Sequence, residues 1–84
     1  MLIRKCLATI LSGETTYAIH VCGQARTDGT WEGWIEFHPG GDGSILRTER
    51  ETSQPNLEAL EYWADGLEPI YFEGAFSRAQ GRFL

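Results

Sequence analysis

The stretch Trp31-Glu32-Gly33-Trp34-Ile35-Glu36-Phe37 decides the fold. Consecutive residues of an extended chain point to opposite sides, so Trp31, Gly33, Ile35 and Phe37 share one side, while Glu32, Trp34, Glu36 and His38 share the other. The first side is wholly apolar and the second is acidic around a single indole. That is the pattern of a strand with one face on a core and the other in water.

Thr15 to Ala25 alternates in the same way, with Tyr17, Ile19, Val21, Gly23 and Ala25 on one face and Thr16, Ala18, His20, Cys22 and Gln24 on the other. Between the two strands, Thr27-Asp28-Gly29-Thr30 signals a hairpin. A two-residue loop at Asp28-Gly29 would set Ala25 against Glu32 and Val21 against Glu36, mixing apolar side chains with acids. A three-residue loop, Thr27-Asp28-Gly29, with Gly29 left-handed in a G1 bulge, pairs Ala25 with Trp31, Gly23 with Gly33, Val21 with Ile35 and Ile19 with Phe37. Every pair on that side is then apolar, so the bulged register is predicted. It also gathers His20, Cys22, Glu36 and His38 on the opposite face, and it leaves a dip at Gly23 and Gly33 that a helix or a crossing aromatic can fill.

The flanks complete the picture. Leu2, Ile3, Cys6, Leu7, Ile10 and Leu11 fit a helical stripe, but β-branched Thr9 and Ile10 and the tight reversal at Ser12-Gly13-Glu14 favour a strand over Arg4 to Leu11, paired with the next. Pro39 to Ser44 reads as a surface loop, and Ile45 to about Glu51 as a charged edge strand. Ser53 or Gln54 is the expected N-cap of a helix with Pro55 in its first turn. Leu57, Leu60, Trp63, Ala64 and Leu67 form its apolar face, and Gly66 closes it as a C′ residue. Pro69 opens a second helix with Phe72, Ala75, Phe76 and Ala79 on one face and Gly81 at its end; Ile70-Tyr71-Phe72 is an alternative strand. The expected fold is α+β: an antiparallel meander of three to four strands with two short C-terminal helices packed on one face, as a single domain over 1–84.

Composition narrows the function. Twelve acidic against seven basic residues give a net charge of −5, with the cations dispersed along the chain. That excludes the basic footprint by which proteins displace counterions from nucleic acid. No apolar run approaches the ~20 residues of a membrane span, and Met1 to Leu11 lacks the pattern of a secretory signal. Two cysteines without a CxxC pattern imply reduced thiols and a cytoplasmic protein.

Four pieces of chemistry are weighed against plainer readings. His20, Cys22, Glu36 and His38 carry zinc-ligand atoms, but H-x-C followed by E-x-H matches no standard spacing, and cross-strand polar pairs are common. His20 with Glu36 suggests an oriented imidazole, yet no nucleophile stands beside them and an open sheet offers no cleft. The run Thr48 to Gln54 offers groups for an anion, and equally reads as an edge strand entering a helix cap. Trp34 between Glu32 and Glu36 on the wet side argues for recognition of a protein partner or a second copy, unless the N-terminal segment or Phe83-Leu84 folds over it. The reading adopted is a small non-catalytic binding or accessory domain that uses Trp34, Glu32, Glu36 and His20 and needs no cofactor. The alternative is a small enzyme or metal-binding protein built on His20, Cys22, Glu36 and His38.

Trp31-Glu32-Gly33-Trp34-Ile35-Glu36-Phe37, Leu46 to Pro55, and Tyr62-Trp63-Ala64-Asp65-Gly66-Leu67-Glu68-Pro69 together resemble a family of small uncharacterised bacterial proteins. The resemblance covers roughly Tyr17 to Ala79. It implies a bacterial one-domain unit and supplies no activity and no catalytic residues.

Overall fold

The computed structural model describes residues 2–41 and 43–80, leaving aside the side chains of Leu2 and Leu7. The elements are β1 (Leu2–Ser12), β2 (Thr15–Ala25), β3 (Trp31–Pro39), β4 (Leu46–Arg47), β5 (Thr52–Gln54), α1 (Leu57–Asp65) and α2 (Pro69–Gln80). The class is α+β, with an antiparallel sheet in the order β1-β2-β3-β4 and with β5 also paired to β3. The Ile70-Tyr71-Phe72 alternative is not taken, because α2 runs through it.

The central hairpin has the predicted register throughout, from Ala25 opposite Trp31 to Ala18 opposite His38. Arg26 N donates to Thr30 O at 2.7 Å, and Gly29 N donates to Arg26 O at 3.1 Å. This closes a three-residue loop in which Gly29 takes φ +90°, as a G1 bulge requires. Asp28 Oδ1 accepts from Thr30 N at 3.0 Å and Thr30 Oγ1 at 2.6 Å, which pins the turn. The β1–β2 hairpin turns through Gly13-Glu14, with Ser12 opposite Thr15. Gly13 has φ +61°, and no non-glycine among the described residues has positive φ. That is the type II′ arrangement, which puts glycine first.

The core is one cluster in which Ile19, Val21, Ile35, Phe37 and Leu46 of the sheet meet Ala64 of α1 and Phe72, Ala75, Phe76 and Ala79 of α2. Phe76 packs edge-on to Phe37 at 5.0 Å and to Tyr17 at 5.1 Å between ring centroids. Leu60 of α1 fills the dip between the paired glycines: a Cβ on Gly23 would lie 2.3 Å from Leu60 Cδ2, and one on Gly33 would lie 2.9 Å from Leu60 Cδ1.

Three expectations are corrected. The edge strand expected from Ile45 to Glu51 is split, so the sheet has five strands rather than three or four. Arg47 faces Glu36 and Thr52 faces Gly33, so Thr48 to Glu51 spans a length that β3 covers with Trp34 and Ile35 alone. Buried Thr48 bridges the gap, donating its N–H to Ile35 O at 3.0 Å and accepting from Ile35 N on Oγ1 at 3.1 Å, and Glu51 N rejoins β3 at Gly33 O at 2.8 Å. The N-cap of α1 is Asn56, not Ser53 or Gln54. Its Oδ1 accepts from Ala59 N at 2.8 Å, while Ser53 and Gln54 are drawn into β5 opposite Glu32 and Trp31. Gly66 ends α1 at φ −87°, in the right-handed region, rather than as a left-handed C′ residue. The expected end of α2 at Gly81 lies outside the described residues.

Candidate functional site

The face of the sheet that carries His20, Cys22, Trp34, Glu36 and His38 is built by alternation, and the adjoining strands add Arg4 and Arg47. Arg4 pairs with Cys22 across β1 and β2, and Arg47 pairs with Glu36 across β3 and β4. The predicted residues therefore do come together, with two arginines that the sequence reading missed.

Glu36 is the centre. Its Oε2 accepts from Trp34 Nε1 at 2.8 Å, and Oε1 lies 2.9 Å from His38 Nε2 and 3.3 Å from an Arg4 guanidinium nitrogen. Burial alone would push this carboxyl up. The hydrogen bonds from Trp34 and His38, with the charge of Arg4, outweigh it and hold Glu36 below the usual carboxylate range. An ionised Oε1 accepts only, so His38 presents Nε2–H to it. His20 lies against His38 with ring centroids 4.2 Å apart and the ring planes tilted by 37°. Burial, then His38 and Arg4, lower the His20 pKa despite Glu36, and its buried Nδ1 has no hydrogen-bond partner among the described residues.

The expected wet indole is not found. Trp34 is only 5% exposed and Glu36 only 7%. Arg47 lies over the Trp34 ring, its guanidinium carbon 4.5 Å from the centroid, and Glu36 takes the indole N–H. A guanidinium stacked on indole covers apolar surface while keeping its own charge in water. The proposed covering by Phe83-Leu84 lies outside the described residues. The acids are also not free: Glu32 pairs with Arg26 at 3.3 Å and Glu36 with Arg4. The charged side chains seen around this site are three guanidiniums, Arg4, Arg26 and Arg47, and two carboxylates, Glu32 and Glu36.

The chemistry available to this arrangement is limited. Cys22 is fully buried, and burial pushes its thiol up to about 11, which suppresses the thiolate needed for attack. Glu36 is already occupied by three donors and is held ionised, so it is poorly placed to take up a proton near neutrality. His20, Cys22, Glu36 and His38 do not converge as ligands: no group of three or more His, Cys, Asp or Glu side chains is placed to hold a metal ion among the described residues.

A second polar constellation joins the bulge to α2. Glu51 Oε1 accepts from Tyr71 Oη and from Arg78 at 2.6 Å, with Arg78 over the Tyr71 ring. Burial and the adjacent carboxylate push the Tyr71 phenol up to about 12. This is the fate of part of the polar run Thr48 to Gln54: its acid ties the edge of the sheet to a helix.

No helix among the described residues is long and apolar enough to cross a membrane. Comparison with protein-family models, with curated proteins and with solved structures finds no match to this chain.

Proposed function

We propose that this chain is a small, non-catalytic, cytoplasmic binding domain. Its helices pack on one face of the sheet, and the other face, where exposed Arg4 and Arg47 cap buried Trp34 and Glu36 beside Glu32 and His20, contacts a protein partner. The resemblance to small bacterial proteins belongs to the same reading. The observation that carries it is the fixed rim of Arg4 and Arg47 over a buried carboxylate with three donors. Side chains already held in place lose little freedom on binding, and this is what makes a charged surface useful for recognition. Glu32 and Glu36 are each paired with an arginine, whereas Arg47 lies on the Trp34 ring with its charge toward solvent, so on this reading the surface suits carboxylates.

The test uses defined probes. Poly-glutamate and poly-lysine of equal length are titrated into labelled protein while backbone amide shifts are followed. Saturable shifts confined to the neighbourhood of Arg4, His20, Trp34 and His38 with poly-glutamate, lost in Arg47→Glu, are expected. Shifts scattered over the surface, or equal with both polymers, would remove the reading.

A further inference from the structure

We propose that β1 pairs edge to edge with β1 of a second copy, antiparallel about a two-fold axis, which joins two five-stranded sheets into one. The first support is the contrast between the two edges. The β4/β5 edge consists of strands of two and three residues separated by a bulge and flanked by charge, the devices by which edges resist pairing. The opposite edge, β1, is an 11-residue strand paired only to β2 among the described residues. Its first half carries Arg4 and Lys5 and an irregularity between Cys6 and Ala8. Its second half, Ala8-Thr9-Ile10-Leu11-Ser12, has no charge and no proline, and Leu11 is 68% exposed.

The second support is what lies beside that half. A groove of about 650 Å³ runs between it and the helices, lined by Ala8, Ile10, Ile19, Leu67 and Phe72 among others. Ala8 and Ile10 pair with Ile19 and Tyr17, so they lie on the core side of the strand. In an antiparallel pair centred on Thr9 or on Ile10, opposite residues share a face. Centred on Thr9, Ala8 of each copy lies opposite Ile10 of the other over the two grooves; centred on Ile10, the two Ile10 residues meet there and Thr9 lies opposite Leu11 on the far side.

The third support is charge, and it selects a second copy over an unrelated strand. β1 begins with cations at Arg4 and Lys5, which pair with Glu36 at 3.3 Å and Asp65 at 3.5 Å but stay largely open to solvent, and it runs into Glu14 at its closing turn. A two-fold antiparallel pairing sets the basic beginning of each strand beside the acidic turn of the other, twice by symmetry.

The inference shares only Arg4 with the sheet-face reading and is tested by sedimentation equilibrium over on the order of 1 μM to 1 mM, the range in which modest homodimers dissociate. The mass is expected to rise from 9.4 kDa towards twice that value. Leu11→Lys, at an exposed position, abolishes the rise with circular dichroism unchanged. Lys5→Glu and Glu14→Lys each weaken association roughly three- to tenfold, as two equivalent exposed ion pairs allow, and together restore it. A monomer at every concentration, a dimer indifferent to Leu11→Lys, or charge reversals that fail to rescue each other would overturn the proposal. Arg47→Glu leaves the dimer intact; a dimer lost in that variant and kept in Leu11→Lys would place the contact on the other surface.

Discussion

Replacing Gly23 by alanine isolates the contact that seats α1 on the sheet. On general grounds the change should help. Alanine restricts the unfolded chain, worth about 0.4–1 kcal/mol where the native backbone accepts it, and Gly23 is not in the left-handed region. The structure reverses that sign. The new Cβ would lie 2.3 Å from Leu60 Cδ2 and 3.3 Å from Ile3 Cγ1, whereas carbon atoms rest about 3.5–4.0 Å apart. Leu60 is 1% exposed and is held by Gly33 on its other branch, so it cannot swing away without displacing α1. Overpacking of this kind costs about 1–3 kcal/mol. For a domain this small that corresponds to a fall in Tm of roughly 4–8 °C per kcal/mol.

The decisive assay is a double-mutant cycle by urea or thermal unfolding. Leu60→Ala alone should cost about 2–5 kcal/mol through the cavity it leaves. In the Gly23→Ala background it should cost at least about 1 kcal/mol less, because the clash is relieved by the same truncation. Gly33→Ala should be the milder single change, its Cβ meeting Leu60 at 2.9 Å and Thr52 Cγ2 at 3.0 Å. A Gly23→Ala protein as stable as the wild type, or two changes whose costs simply add, would refute the claim that Leu60 is locked into the glycine dip.

Asn56→Ala should lower stability by about 1 kcal/mol, read by chemical unfolding, while Ser53→Ala should fall within about 0.5 kcal/mol of wild type, because only Asn56 caps the helix. The folded His20 pKa lies below its unfolded value, so the unfolded chain binds the extra proton first. Stability should therefore decline as pH falls below about 6.5 and decline again through the carboxylate range, where Glu36 behaves likewise; His20→Gln should flatten only the upper part of a Tm-against-pH curve. With a thiol reagent near pH 8, exposed Cys6 should react promptly and buried Cys22 only on unfolding, so the native protein titrates one thiol and the denatured protein two.

The central register was legible because two independent signals agree on it: the period of two in Tyr17 to Ala25 and Trp31 to Phe37, and a turn whose only left-handed residue is glycine. The Gly23–Gly33 dip follows from that register, and so does the gathering of His20, Cys22, Glu36 and His38. The fate of Trp34 does not follow. Alternation says which side a residue faces but not what reaches across it, and the long stems of Arg4 and Arg47 come from strands whose pairing was not fixed in advance. Arg47 opposite Glu36 was the available clue, an opposite-charge pair across a ladder. Asn56 was legible as well, since asparagine ranks among the strongest N-caps; the rule that proline favours the first helical position pulled the assignment upstream.

The bulge at Thr48 to Glu51 left no signature in the hydrophobic pattern, and yet it connects the other features. Its polar run looks like any charged edge strand until the extra length is counted against β3. The inserted length lets Arg47 pair with Glu36 and cover Trp34, while Glu51 returns on the same strand path to meet Tyr71 and Arg78. It also breaks the ladder on that edge into pieces too short to recruit another strand. One irregularity thus covers the indole, ties α2 to the sheet and closes one of two edges, which leaves β1 as the edge through which the sheet can grow.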